Sequence, residues 1–390
     1  MKDQGNRGSK ESVSTQEAPL SDQSSSGMQA SAEAHAHINH EIPIPILRPL
    51  WLHPVGQSVR IVRASPDGQY VAFATEEGAM KVLEPEKGDV LFEYPSRDSF
   101  FGASDLQFSP DGSALAMGLE NGQLVLFSLS THSVIYENLK LEETPENICW
   151  ARDSKAFFFS LGKKIVRWSI EEKSVVESDI LEEENTITDM SWLDGKMLGY
   201  TTYSHFKIVE SQTGQLRQDF SWKGSLLSLE ICPNKKYGVC GTQDRTLHIW
   251  NLSTKKDMEM RGFGSKIKKV SFREDGLAMA HGTANEVIIW DFSGSGPSGK
   301  RPQTLGPFET EVVEVLYQNS GKVLCSAGRD GVLLFWNPSE SSQPIFISGI
   351  RDQEISNFEW APDDSFLFVG FTSGYVALIP SSLIFKNLAL

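Results

Sequence analysis

The sequence predicts an all-β protein, a β-propeller of eight blades with four antiparallel strands each, and three observations carry that expectation. Turns that open hairpins begin at Ser65, Ser109, Ala151, Leu193, Cys232, Phe272, Gln318 and Ala361, with spacings of 44, 42, 42, 39, 40, 46 and 43 residues. Behind each turn an apolar strand is followed by a second polar turn and a third strand that ends in a bulky hydrophobe. A four-stranded unit of about 42 residues cannot bury both faces of its sheet alone, whereas a closed ring buries each sheet between two neighbours.

Taken in order, residues 1–40 are rich in Ser, Gln, Glu, Ala and Gly and nearly devoid of large apolar side chains. Such a tail cannot offset its ordering entropy and is expected to be disordered, which leaves 41–390 as one propeller domain. The stretch Ile42-Pro43-Ile44-Pro45-Ile46-Leu47 precedes the first unit, and its prolines recur at period two, a pattern tolerable on an edge strand. It is therefore expected to supply the fourth strand of the last blade and lock the ring, with Ser382 to Phe385 as the alternative source.

The first two units open on Ser65-Pro66-Asp67-Gly68 and Ser109-Pro110-Asp111-Gly112, where proline presets the first turn position and glycine takes the left-handed one. Alternating runs follow at Tyr70 to Ala74 and Ala114 to Gly118, then turns at Gly78 and Gly122. Later units keep the plan with weaker turns, and the one around Asp194-Gly195 fits least well. If that unit is irregular, the ring has seven blades instead of eight.

Three third strands read Leu247-His248-Ile249-Trp250-Asn251, Val287-Ile288-Ile289-Trp290-Asp291 and Leu333-Leu334-Phe335-Trp336-Asn337. Ahead of two of them lie Gly241-Thr242-Gln243-Asp244-Arg245 and Ala327-Gly328-Arg329-Asp330-Gly331. Over roughly residues 44 to 380 the chain resembles the WD40 repeat family. The resemblance implies structural turn aspartates at Asp244 and Asp330 and strand-end tryptophans at Trp168, Trp250, Trp290 and Trp336, Trp168 arriving one residue out of register. The family's Gly-His pair is missing, and Trp290-Asp291 is the one literal Trp-Asp. The hydrogen-bonded tetrad of that family is thus expected to be incomplete, with blades resting on apolar packing.

The formal net charge of −15 argues against nucleic acid as a main partner. Charge is nevertheless polarised: residues 141–190 hold twelve acids against six bases, and residues 221–280 hold eleven bases against six acids. No apolar run is long enough to cross a bilayer, and no apolar core behind a basic start suggests a secretory signal. Cys149, Cys232, Cys240 and Cys325 stand singly without metal-site spacing, which reads as reduced thiols of a cytoplasmic protein.

Two patterns imitate chemistry. Gly294 to Arg301 has the GxxxxGK spacing of a phosphate loop, but Arg301 follows Lys300 where a hydroxyl belongs, and no helix follows. It reads as a long connection bearing Lys300 and Arg301. His35, His37 and His40 have spacing that suits a zinc or nickel ion, but in a tail that must lose entropy to bind it, so neither a metal nor any cofactor is expected. No nucleophile elbow or marked acid pair is present, and His132, His205, His248 and His281 read as structural.

What the sequence favours is a non-enzymatic scaffold that binds other proteins or peptides on the propeller rim, its oligomeric state open. By position, Arg245 and Arg329 lie in the two best-matching turns, and Trp222 and Phe263 lie in or beside connections that follow fourth strands; Arg and aromatics are the residue types that carry interface energy. The alternatives are a metal-handling accessory protein using the histidine tail, or a hydrolase whose residues converge at the channel.

Overall fold

The computed structural model describes residues 44–97, 99–137, 141–170 and 178–382, and these form a ring of eight antiparallel sheets. Blades 1 to 7 occupy residues 59–94, 103–137, 145–182, 189–225, 230–260, 271–305 and 312–349. Blade 8 combines Ile355–Trp360, Phe366–Phe371 and Tyr375–Pro380 with an N-terminal strand. The seven-blade alternative is excluded.

Strand identity follows from position in the ring. The second strands are covered on both faces by neighbouring blades, so Val71–Thr75, Ala114–Leu119, Tyr237–Gly241 and Leu324–Gly328 are buried throughout and read as continuous small or apolar runs. Glycine ends several of them because the next blade arrives there. A Cβ on Gly241 would lie 1.9 Å from the Ile267 carbonyl oxygen, and one on Gly118 2.5 Å from that of Pro145.

The hairpin turns behave as their residues dictate. Asp67 accepts from the Ser65 hydroxyl at 2.6 Å and the Gln69 amide at 3.0 Å, while Gly68 takes φ 71°. The Ser109 turn repeats this with Asp111 and Gly112. Ser154, Lys235 and Asp364 hold the same left-handed position without glycine, each at φ 59°. The sixth turn opens at Arg273, one residue later than the pattern suggested, because the Arg273 amide, and not that of Phe272, pairs back to Ala278.

Blade 4 hides its hairpin. Met197–Glu210 is continuous in strand geometry, yet the Ser211 amide donates to the Lys196 carbonyl at 2.8 Å. Fourteen extended residues would hold those groups more than about 40 Å apart, so the segment folds back midway, at Ser204 with φ 66°. The first half pairs with Asp189–Trp192 and the second with the ten-residue outer strand Leu216–Ser225.

An N-terminal strand does close blade 8, but it is Trp51–Pro54 and not Ile42 to Leu47. Trp51 pairs with Leu378 and Pro54 with Tyr375, and the Trp51 indole donates to the Pro85 carbonyl of blade 1 at 2.8 Å. Residues 44–47 instead run parallel beside the outer strand of blade 7, Pro344–Gly349. There the Ile347 amide donates to the Pro45 carbonyl and the Leu47 amide donates to the Ile347 carbonyl. Pro45 contributes only an acceptor, so its missing N–H leaves no gap in the ladder. Ile42, Pro43, the tail 1–40 with its three histidines, and 383–385 lie outside the described residues.

The innermost strands would expose backbone amides to the channel. Side chains of the preceding blade satisfy them: Asp105 accepts from Ile148, Asp189 from Leu229, Glu314 from Phe358 and Asn357 from Val62.

The tryptophans bear out the incomplete tetrad. The Trp336 indole donates to Ser326 at 2.7 Å, and that of Trp290 to His281 at 3.2 Å. Trp168 packs edge-on against Tyr136 and Phe157, with no partner for its N–H, and Trp250 lies against His248 and Phe206. Trp168 faces Phe157, the second residue of its strand, as Trp250 faces Gly238 and Trp290 faces Met279. Measured across the hairpin it is therefore in register, a correction to the reading from linear spacing, which the short Gly162 turn had offset.

Candidate protein-binding site

Two sets of loops define two faces. On one, turns between second and third strands meet the connections leaving fourth strands: the Gln243 amide donates to the Ser225 carbonyl, that of Ala284 to Ser265 Oγ, and that of Arg329 to the Glu311 carbonyl. On the other, hairpin-opening turns meet the connections from third to fourth strands, as where the Tyr237 hydroxyl donates to the Ser295 carbonyl. Arg245 and Arg329 lie on the first face. Lys300 and Arg301 lie on the second, apart from the other candidates.

Trp222, Arg245 and Phe263 come together in one cleft of about 500 Å³ between the outer parts of blades 4 and 5. Lys223, Asp244, Thr246, Glu259 and Arg261 complete its walls. Trp222 is half-buried on the outer strand of blade 4, where its ring lies on the His248 imidazole at 3.9 Å and beneath the Lys223 ammonium at 5.6 Å. His248 is 1 % exposed and meets Asp257 at 3.0 Å through Nε2. Burial lowers its pKa and the carboxylate opposes that, so the ring backing the cleft is held away from full protonation.

Phe263 packs edge-on against His281 at 4.6 Å. Complete burial pushes the pKa of His281 down to about 4. A neutral ring matches its contacts, with Nδ1 donating to the Gly282 carbonyl and Nε2 accepting from Trp290. Arg261 is paired with Glu259. Among the described residues the side chains of Lys223 and Arg245 have no carboxylate partner, and Arg245 is exposed at φ 60°.

Arg329 belongs to a second, narrower cleft of about 280 Å³ near the channel, shared with Lys266, Lys268, Lys269, Glu311, Glu314 and Glu354. Its guanidinium is engaged by Glu311 at 2.6 Å and Glu354 at 3.6 Å, and Lys269 is bound by the nearly buried Glu314. Along the channel, burial raises Asp189 to about 6 and Glu230 to about 8, with Lys269 opposing both. On the far face Lys300 is tied back to Asp291 at 2.9 Å and to Ser293, which leaves no cradle for a phosphate.

Among the described residues no three His, Cys, Asp or Glu side chains are placed to hold a metal ion, and all four cysteines are free. Lys223, Thr246 and Glu259 were not singled out by the sequence, and Arg261 was counted only as one base of the basic stretch 221–280. Lys223 carried a usable signal, since it follows Trp222 directly on a strand edge.

Comparison with known proteins agrees with this architecture. No family model matches the chain. It is 25 % identical over 265 residues to apoptotic protease-activating factor 1 of Rattus norvegicus, covering 63 % of this chain and 20 % of that protein. It is 20 % identical to a WD repeat-containing protein 55 homolog of Dictyostelium discoideum, covering 70 % of this chain and 66 % of that one. The chain thus spans about a fifth of the first of these relatives. Among solved structures, Saccharomyces cerevisiae Sqt1 superposes with a TM-score of 0.70 at 13 % identity, covering 86 % of this chain and 99 % of that one. The C-terminal WD40 domain of Sif2 gives 0.69 at 14 %, covering 86 % and 99 %. One of these relatives is named as a WD repeat-containing protein and one of the solved structures as a WD40 domain, and the chain shares the propeller fold of the latter.

Proposed function

We propose that this WD40-like propeller is a non-enzymatic, cytoplasmic docking scaffold, and that it engages protein partners through the face on which the cleft between blades 4 and 5 opens. The observation that carries this reading is the cleft itself. Two aromatic side chains at half exposure stand beside two cations without carboxylate partners, on a frame held rigid by ring closure. A preorganised surface loses little entropy on association, and Trp, Phe and Arg supply the contact energy. Propellers of the WD-repeat kind generally mediate protein–protein interactions, which supports the same reading.

The test is a quantitative comparison of partners co-purified from native cells with the wild-type chain and with Lys223→Glu/Arg245→Glu. Partners lost selectively from the variant, at unchanged melting temperature, support the cleft as the docking site. An identical partner set from both proteins removes it.

A further inference from the structure

We infer that the cleft between blades 4 and 5 takes an acidic peptide segment in which carboxylates flank an apolar anchor; this rests on the docking reading above and specifies its ligand. Paired and unpaired charge divide unevenly at this cleft. Of the cations at the cleft, Arg261 is occupied by Glu259, while Lys223 and Arg245 have no carboxylate partner among the described residues. The connection that carries Arg261 and Phe263 continues through Lys266 and Lys268, which likewise have no carboxylate partner among the described residues. The unpaired positive groups therefore form a strip leading from the outer edge of blade 5 towards the channel.

That strip stands on a chain of net charge −15. An acidic ligand is repelled by most of the surface and attracted along this arc, so the field itself selects where it lands.

Shape and surface chemistry point the same way. Trp222 and Phe263 both line the cavity and offer apolar contact in about 500 Å³, enough for one side chain and a length of backbone. Lys223 already lies over the Trp222 ring, so a carboxylate reaching Lys223 is brought next to the aromatic face. Glu259 is spent on Arg261, which leaves Asp244 as the acceptor available to a backbone N–H of the peptide. Anions at both ends and an aromatic or aliphatic residue between them fit this arrangement.

The experiment is selection of random dodecapeptides, displayed on phage, against the immobilised full-length chain, followed by fluorescence polarisation with the enriched peptides. The expected result is enrichment of peptides with excess Asp and Glu around Trp, Phe or Leu. Their affinity should fall about tenfold or more in Lys223→Glu/Arg245→Glu and weaken as salt rises. Melting temperatures of the variants are measured alongside, so that misfolding is not mistaken for lost binding.

Enriched peptides that are neutral or basic, but lose binding in Phe263→Ala, overturn the acidic specificity and keep the docking cleft. Peptides indifferent to Lys223, Arg245 and Phe263 overturn both. Equal binding of a labelled oligothymidylate marks a nonselective polyanion surface and also overturns the inference.

Discussion

The two sides of the ring are finished differently. Around blades 7 and 8, residues 44–54 run along two outer edges in succession, and Arg329 and Lys269 are held by Glu311, Glu354 and Glu314. Around blades 4 and 5, among the described residues, no further strand pairs with the outer strand Leu216–Ser225, and Lys223 and Arg245 have no carboxylate partner. One side spends its polar groups on cohesion. The other leaves them available, which is what separates a docking surface from a merely charged one.

The strongest way to break this contrast is to remove the covering segment. Deletion through Pro54 exposes the packing surfaces of Ile44, Leu47 and Leu52, worth roughly 1.5–3 kcal/mol each, and should lower stability by about 5 kcal/mol or more in urea unfolding. If the truncated chain unfolds like the intact one, the seam is not where cohesion is concentrated.

Acid should act on blade 6, where Phe263 from the cleft packs against His281. His281 has a folded-state pKa of about 4, below its unfolded value near 6.5, so its contribution is complete above pH 6.5 and is lost as pH falls towards 4. The loss is about 3 kcal/mol at 1.36 kcal/mol per unit, and Phe263, packed on that ring, should become more mobile with it. His281→Gln, which keeps an acceptor for Trp290, should flatten the stability profile between those pH values. A profile as steep as the wild type's would place the acid sensitivity elsewhere.

Glu314→Ala strips an acceptor from the Phe358 amide and the partner from Lys269, and should cost about 2 kcal/mol. The smallest effect belongs to Arg245→Glu, whose side chain is exposed and unpaired: stability should stay within about 0.5 kcal/mol while peptide binding collapses. A matching loss of stability would show that Arg245 is structural and erase the contrast.

Most of the architecture was legible because the propeller period survives even where its residues drift. The turn patterns at Ser65 and Ser109 and the third strands at Trp250, Trp290 and Trp336 set the repeat, and eight units follow from counting. Blade 4 was harder because its inner hairpin turns at Tyr203-Ser204, without glycine or aspartate to mark it. The closing strand was misplaced by a few residues since two extended segments lie end to end, and pattern alone does not tell which sheet each joins.

The cleft was legible in part: turn position brought out Arg245, and residue type brought out Trp222 and Phe263. Their convergence depends on contact between neighbouring blades, which linear order does not display. Asp105, Asp189 and Glu314 left no trace at all. Their amide partners lie 43, 40 and 44 residues away, and locally each reads as one more solvated acid.

The strand that seals blade 8 is translated long before the three strands it joins. On the ribosome, Trp51–Pro54 emerges early and must wait, unpaired, until its partner strand Tyr375–Pro380 has left the exit tunnel. Early blades can form in transit, but the circle is completed only once blade 8 has been made, so a chain stalled or clipped before it presents an open arc with two raw edges to the quality-control machinery.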